Sequence, residues 1–171
     1  MNKVREQYLV SEFKDFTGEE RGFVICAVSK VDVYDTLFEG SPITVKSVQF
    51  GIAVQNHGDT FSLEKGKAMA LNYANTRPFD VVTSGQTYSL NYDTIQALLK
   101  SFERYFQQDP SMFIPSYKIH KEKYNKDPKT YLERRAFQLQ KEQKIENLQK
   151  ELKEVKASKY VPSQETKLLK A

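Results

Sequence analysis

The sequence predicts an α+β fold, in which an antiparallel sheet of about four strands carries two helices on one face. Two observations predict this body: residues 21–33 and 44–54 have the apolar patterning of strands, and two later segments have helical spacing. A change of composition after residue 117 predicts a basic C-terminal extension with a long helix. We therefore divide the chain into an α+β body, residues 1–117, and an extension, residues 118–171.

The stretch 44–75 is predicted to form a strand, a turn and a helix. Apolar side chains alternate along its first part, and a run of polar turn formers follows. Ser62 can cap the helix, because its hydroxyl can accept a free N–H of the first turn. Small residues then recur at every fourth position and predict close packing of one face against the sheet: Gly66, Ala70 and Ala74.

The other elements of the body follow in chain order. Residues 1–20 fit either a short helix or a strand. Residues 21–33 are apolar on both faces at their centre, so this strand is predicted to be covered twice. Residues 79–83 and 86–90 are predicted to form a hairpin that supplies the third and fourth strands. An amphipathic helix comes next, with these apolar positions: Ile95, Leu98, Leu99, Phe102 and Phe106.

The extension contains a long stretch without glycine or proline, residues 130–156, which predicts a helix. The last residues, 157–171, are predicted to fray. Self-association, docking on a partner helix and packing on the protein's own body all fit the apolar face of the helix. Over about two heptads this face has the a/d spacing of a coiled-coil seam: Ile145, Leu148, Leu152 and Val155.

Charge is divided unevenly between the two parts. The body holds 11 Lys and Arg against 14 Asp and Glu, whereas the extension holds 15 against 8. A basic extension can attract nucleic acid, anionic lipid or an acidic partner, and it can also be a solvated helix.

A candidate anion-binding turn lies at residues 56–67. Helix N-termini expose unpaired N–H groups and a partial positive charge that can hold a phosphate. An ordinary connection with solvated lysines fits the same residues. The predicted phosphate-binding residues are Asn56, His57, Lys65, Lys67 and Arg77.

A second candidate surface opens the extension, where lysines alternate with tyrosines. Cations for phosphates and rings for bases are the two ingredients of a sequence-tolerant nucleic-acid binder. Phe50 and Tyr88 can add stacking surfaces or belong to the core. The predicted nucleic-acid-binding residues are Lys118, Lys121, Lys123, Tyr124 and Lys126.

Catalytic and cofactor signatures are not found in the sequence. Two histidines and one cysteine have no ligand spacing, and there is no phosphate-loop, dinucleotide or nucleophile-elbow motif. We therefore expect no metal, no cofactor and no enzymatic activity. Cys26 lies in an apolar run and is predicted to be a small buried side chain, which suits a reducing cytoplasm. Without a long apolar run or a signal-peptide core, we expect a cytoplasmic protein with no membrane contact.

About 30 of the 171 residues support a resemblance. The run 51–54, then residues 59–61, then the small helical face resemble a motif in small proteins encoded by tailed bacteriophages. This resemblance implies a host-takeover or counter-defence factor in the host cytoplasm, and one such class sequesters cyclic nucleotide signals between protomers. Residues 62–74 also resemble the last helix of double-stranded-RNA-binding domains, with Lys65 and Lys67 carried over.

Two functions are therefore expected. The first is a non-enzymatic phage-type binding protein that recognises a phosphate-bearing ligand, either nucleic acid or a signalling nucleotide, and inhibits or sequesters a host factor. The alternative is a structural or adaptor protein that assembles through its C-terminal helix. Either function implies a homo-oligomer or a host protein partner.

Overall fold

The structure, a computed structural model, describes residues 5–34, 43–56, 58–84 and 89–158. The chain divides into two compact units, Met1–Lys126 and Asp127–Ala171. The strands of the first unit are β1 Arg5–Lys14, β2 Glu20–Tyr34, β3 Ile43–Val54 and β4 Asp80–Thr83. Its helices are α1 Leu63–Thr76, α2 Tyr92–Gln108 and α3 Pro115–Lys126, with a 3-10 turn at Pro110–Met112. The second unit contains α4, Pro128–Ala157.

The predicted α+β class with a four-stranded antiparallel sheet is confirmed. The strands follow the chain order β1-β2-β3-β4 and are all antiparallel to their neighbours. The register places Cys26 of β2 opposite Tyr8 on one side and Gly51 on the other. The sheet is thus a meander, in which each strand pairs with its neighbour in the chain and α1 lies between β3 and β4 in the sequence.

One strand of the sheet differs from the prediction. Residues 1–20, which by sequence fit either a short helix or a strand, contain the strand β1. This strand pairs with β2 along its whole length. The expected strand at 86–90 is wrong where it can be checked, since Ser89 and Leu90 lie outside any strand and residues 85–88 are outside the described ranges. The fourth strand of the described sheet is therefore β1, near the start of the chain.

The expectation that two helices pack on one face is wrong. Side chains alternate along β2, so its odd and even positions point to opposite faces. Val24, Cys26 and Val28 pack with Ala70 and Ala74 of α1. On the other face α2 packs against the alternate positions: Phe23, Ile25 and Ala27. The prediction that β2 is covered twice is confirmed, and this double coverage is why the helices lie on opposite sides.

The helix α1 approaches the sheet very closely, as its small residues predict. Ala70 and Ala74 are fully buried. A Cβ added to Gly51 of β3 would lie 2.2 Å from both the carbonyl oxygen of Ala70 and the amide nitrogen of Ala74. The backbone of α1 therefore rests directly on β3, and only glycine fits beneath it.

The helix α2 covers the larger core. Its N-cap Asn91 accepts a hydrogen bond from the backbone N–H of Thr94, 2.9 Å. Aromatic rings dominate the contact with the sheet, with Phe23–Phe106 centroids 4.5 Å apart and Phe50–Phe102 centroids 4.6 Å apart. Such ring pairs stabilise a core beyond their buried area. The predicted amphipathic helix is confirmed.

The segment after α2 forms the 3-10 turn and then the helix α3. Proline is tolerated in the first turn of a helix, where its missing N–H has no partner in any case, and Pro115 begins α3. Tyr117 is 7% exposed and its hydroxyl accepts a hydrogen bond from the N–H of Phe16, 3.1 Å.

The predicted domain boundary follows Tyr117, whereas the division of the structure follows Lys126.

The described part of the second unit is formed by the long helix α4, whose existence is confirmed. Asp127 caps it by accepting from the N–H of Thr130, 3.1 Å, and the helix extends to Ala157. The predicted frayed end lies outside the described residues from position 159 onward.

Candidate binding surfaces

The turn before α1 is held in place by one glutamine. Gln55 accepts from the N–H of Gly22 through its side chain, 2.8 Å, and from Nε of Arg21 through its backbone carbonyl, 2.8 Å. Its side-chain amide donates to the backbone oxygen of Asp59. Gln55 therefore fixes the described part of the turn that the sequence predicts as an anion site to the start of β2.

The N-terminus of α1 already has a partner for part of its free backbone. The hydroxyl of Ser62 accepts from the N–H of Lys65 at 3.4 Å, as the capping prediction requires. Asn56 and Lys65 are both exposed on this side of the molecule. Lys67 is half-buried, with its Nζ 5.4 Å from the ring centroid of Tyr8. His57 lies outside the described residues.

Arg77 does not join this turn, contrary to expectation. It is the C-cap of α1, a helix of 14 residues, which at ~1.5 Å per residue is about 20 Å long. Its guanidinium lies 4.2 Å from the ring centroid of Tyr73. A cation at a helix C-terminus also complements the helix dipole. Arg77 therefore supports the far end of α1 and stands apart from Asn56 and Lys65.

The lysines at the start of the predicted extension lie on α3 and belong to the first unit. Tyr124 is half-buried, with its ring centroid 5.4 Å from that of Phe16, and Phe50 is fully buried. The Tyr124 ring therefore packs against the body of the first unit, the Phe50 ring belongs to the core, and Tyr88 is outside the described ranges. The four lysines of the predicted surface are exposed: Lys118, Lys121, Lys123 and Lys126.

The predicted seam of α4 is exposed along its length. Within the described part of this helix no residue is buried. The exposed fractions of the four apolar side chains lie between 46% and 67%, which is high for large aliphatic groups. The seam consists of Ile145, Leu148, Leu152 and Val155.

The β1–β2 hairpin contains a buried ion pair that the sequence did not predict. Asp15 and Arg21 lie 3.6 Å apart, and the Asp15 side chain is 1% exposed. One Asp15 oxygen also accepts from the N–H and the hydroxyl of Thr17, at 2.8 and 2.6 Å. In the sequence this turn is indicated by Asp15 together with Thr17 and Gly18, all of which favour turns. Because Arg21 also bonds Gln55, this pair joins the hairpin to the turn before α1.

Two titratable groups inside the sheet have shifted pKa values. Burial raises the pKa of the Cys26 thiol to about 11. Burial, followed by the hydrogen bond to Glu6, raises the pKa of Tyr8. A thiol that is buried and protonated at neutral pH is a poor nucleophile. Cys26 is thus a core side chain, as predicted.

The described part of the chain contains no group of three or more His, Cys, Asp or Glu that could hold a metal ion. No helix among the described residues is long and apolar enough to cross a membrane.

The chain matches no protein-family model, and no curated protein or solved structure is significantly similar to it.

Proposed function

We propose that this protein is a non-enzymatic structural or adaptor protein that assembles through α4. The exposed seam supports the proposal: four aliphatic side chains at a/d spacing are 46–67% exposed on a helix without buried residues in its described part. Such a stripe is stabilised when a second helix covers it.

A second copy of the chain fits this seam. With Ile145 at position a, Glu151 takes position g and Lys156 position e. In a parallel, in-register pair, position g of one helix faces position e of the next heptad of the other. Glu151 then faces Lys156 of the partner subunit, an attractive pair that the two-fold axis repeats. Lys144, also at position g, faces Gln149 of the partner subunit. The g–e pairs along this seam therefore contain no like-charge contact.

The expected association is weak and depends on concentration. Complete burial of a Leu, Ile or Val side chain contributes about 1.5–3 kcal/mol, and these side chains are already half covered. Half of that gain for each of the eight side chains in a dimer amounts to about 6–12 kcal/mol, against an association cost of about 4–15 kcal/mol. At the lower end of this cost a net gain of about 2–8 kcal/mol remains, so the expected dissociation constant is about 1 μM at the tightest and otherwise millimolar or weaker.

Site-specific photo-crosslinking tests the proposal. Benzoylphenylalanine at position 148 lies on the seam, whereas at position 150 it lies on the outer face of the same helix. We expect a crosslinked dimer from position 148 and little from position 150. A crosslink from position 148 to a different protein would favour the adaptor form of the proposal. Equal yields from the two positions would contradict both forms.

A second candidate function is recognition of a phosphate-bearing ligand by α3. It is favoured by the exposure of all four lysines of α3 while Tyr117 of the same helix is fixed in the core. Converting these lysines to glutamine should weaken binding to single-stranded RNA tenfold or more and flatten its salt dependence. Lys100→Gln, another exposed lysine, is the control. Unchanged affinity in the fourfold variant would contradict this candidate.

The likeness to phage-encoded proteins extends the second candidate to sequestration of a nucleotide signal or a host factor. Mass spectrometry of material released by heat from the purified protein would identify a bound nucleotide. Lys65→Ala together with Lys67→Ala should then reduce the amount released, if the turn before α1 holds the phosphate. If the double variant releases the same amount of nucleotide as the wild type, the turn before α1 is not the phosphate site.

A further inference from the structure

The strand β1 is one edge of the sheet, and half of its backbone faces away from the sheet. The N–H of Asp15 donates to the carbonyl oxygen of Glu19, 2.9 Å, in register with the β1–β2 ladder. Backbone groups alternate in direction along an antiparallel strand, so the odd-numbered residues of β1 bond to β2. The even-numbered residues direct N–H and C=O outward: Glu6, Tyr8, Val10, Glu12 and Lys14.

This outward edge has very little cover. The side-chain amide of Gln107 donates to the carbonyl oxygen of Glu12, 3.0 Å, and no further hydrogen bond reaches the outward backbone groups within the ranges that the structure describes. Val10 is 47% exposed, because α1 packs on β2 and β3. A long strand with unpaired N–H and C=O groups is a template for another strand.

We propose that β1 pairs antiparallel with β1 of a second copy, which joins two four-stranded sheets into one sheet of eight strands. The two-fold axis passes beside Val10, which lies opposite Val10 of the partner subunit. Tyr8 then lies opposite Glu12 of the partner subunit, and Glu6 lies opposite Lys14 of the partner subunit. All the outward N–H and C=O groups of residues 6–14 find partners, about ten hydrogen bonds in total.

Charge complementarity selects this register. The faces of the two sheets continue into each other only when residues of the same parity lie opposite, so registers differ in steps of two residues. One step in one direction places Glu6 opposite Glu12 of the partner subunit, a repulsive contact that symmetry repeats. One step in the other direction leaves no charged pair. The proposed register has two attractive Glu6–Lys14 pairs and also covers the exposed Val10 side chain.

Cysteine crosslinking in the full-length chain tests the register. The Cα atoms of a hydrogen-bonded antiparallel pair are about 5.5 Å apart, within the range that a disulfide spans. The single native cysteine, Cys26, is buried, so background reaction is low. We expect Val10→Cys to form a disulfide-linked dimer. Glu12→Cys is the control, since the two positions 12 are four residues out of register, about 13 Å apart. Equal yields from the two variants, or no dimer from Val10→Cys, would overturn the proposal.

A charge exchange provides an independent test. It is done in a Leu148→Glu, Leu152→Glu background, so that any association through α4 does not contribute. Glu6→Lys and Lys14→Glu should each weaken the dimer about tenfold, because each creates two like-charge cross-strand pairs. A mixture of the two variants forms two attractive pairs in the heterodimer and should recover the lost affinity. Thermal unfolding monitored by circular dichroism verifies that both variants are folded. A mixture that associates no more tightly than either variant alone would overturn the register.

Discussion

Replacing Gly51 by alanine tests the closest contact in the fold. The added Cβ would lie 2.2 Å from two backbone atoms of α1, the oxygen of Ala70 and the nitrogen of Ala74. Ordinary contact for a Cβ begins near 3.4 Å, so α1 and β3 must separate by about 1 Å. Overfilling a core typically costs about 1–3 kcal/mol, and a clash with backbone belongs at or above the upper end. We expect Gly51→Ala to lower the free energy of unfolding by about 3 kcal/mol.

Gly66→Ala is the matched control at the same interface. Its added Cβ would lie 2.9 Å from Cγ2 of Val24, a side-chain atom that can move. Alanine in a helix interior also gains about 1 kcal/mol over glycine in helix propensity, which offsets part of the clash. Urea unfolding followed by tyrosine fluorescence compares the two variants. If Gly51→Ala is no less stable than Gly66→Ala, the packing of α1 on β3 described above is wrong.

Three further predictions concern the buried polar groups of the first unit. Arg21→Met leaves the 1%-exposed Asp15 carboxylate without its cation and should cost about 3 kcal/mol in chemical unfolding, and an unchanged midpoint would show that this pair contributes nothing. Tyr117→Phe removes the acceptor of the Phe16 N–H and should cost about 1–3 kcal/mol by the same measurement, whereas a neutral effect would imply replacement by water. The pKa of Cys26 is raised from 9.0 to about 11, so the unfolded chain loses its proton first as the pH rises. Stability should therefore fall by about 2 kcal/mol between pH 9 and 11, and Cys26→Ala should show a smaller fall; identical pH profiles would contradict the shift.

Local patterns in the sequence predict the elements whose burial is decided by their own periodicity. The alternation in β2 and β3, the small face of α1 and the apolar face of α2 each specify one element and its buried side. The strand β1 carries charged and polar residues between its apolar ones, including Gln7, which is buried and bonded to Gln96. Its conformation depends on pairing with β2, so its own sequence left helix and strand both open.

Relations between elements were harder to predict. The positions of the two helices depend on which face of β2 each one covers; the doubly apolar β2 indicates that both faces are covered, but not which helix covers which face. Arg77 is close to Lys65 in sequence, yet the length of α1 separates them. The hairpin pair Asp15–Arg21 and the bond from Phe16 to Tyr117 form between segments that no sequence period connects.

Sedimentation velocity of the full-length chain over a wide concentration range tests assembly through α4 most directly. Wild-type protein is compared with the Leu148→Glu, Leu152→Glu variant, and the mass of a single chain is 19.8 kDa. We predict that the average mass of the wild type rises with concentration above that of the variant, because the variant places four charges in the seam of each dimer. If the two proteins have the same mass at every concentration, α4 does not join copies of this chain.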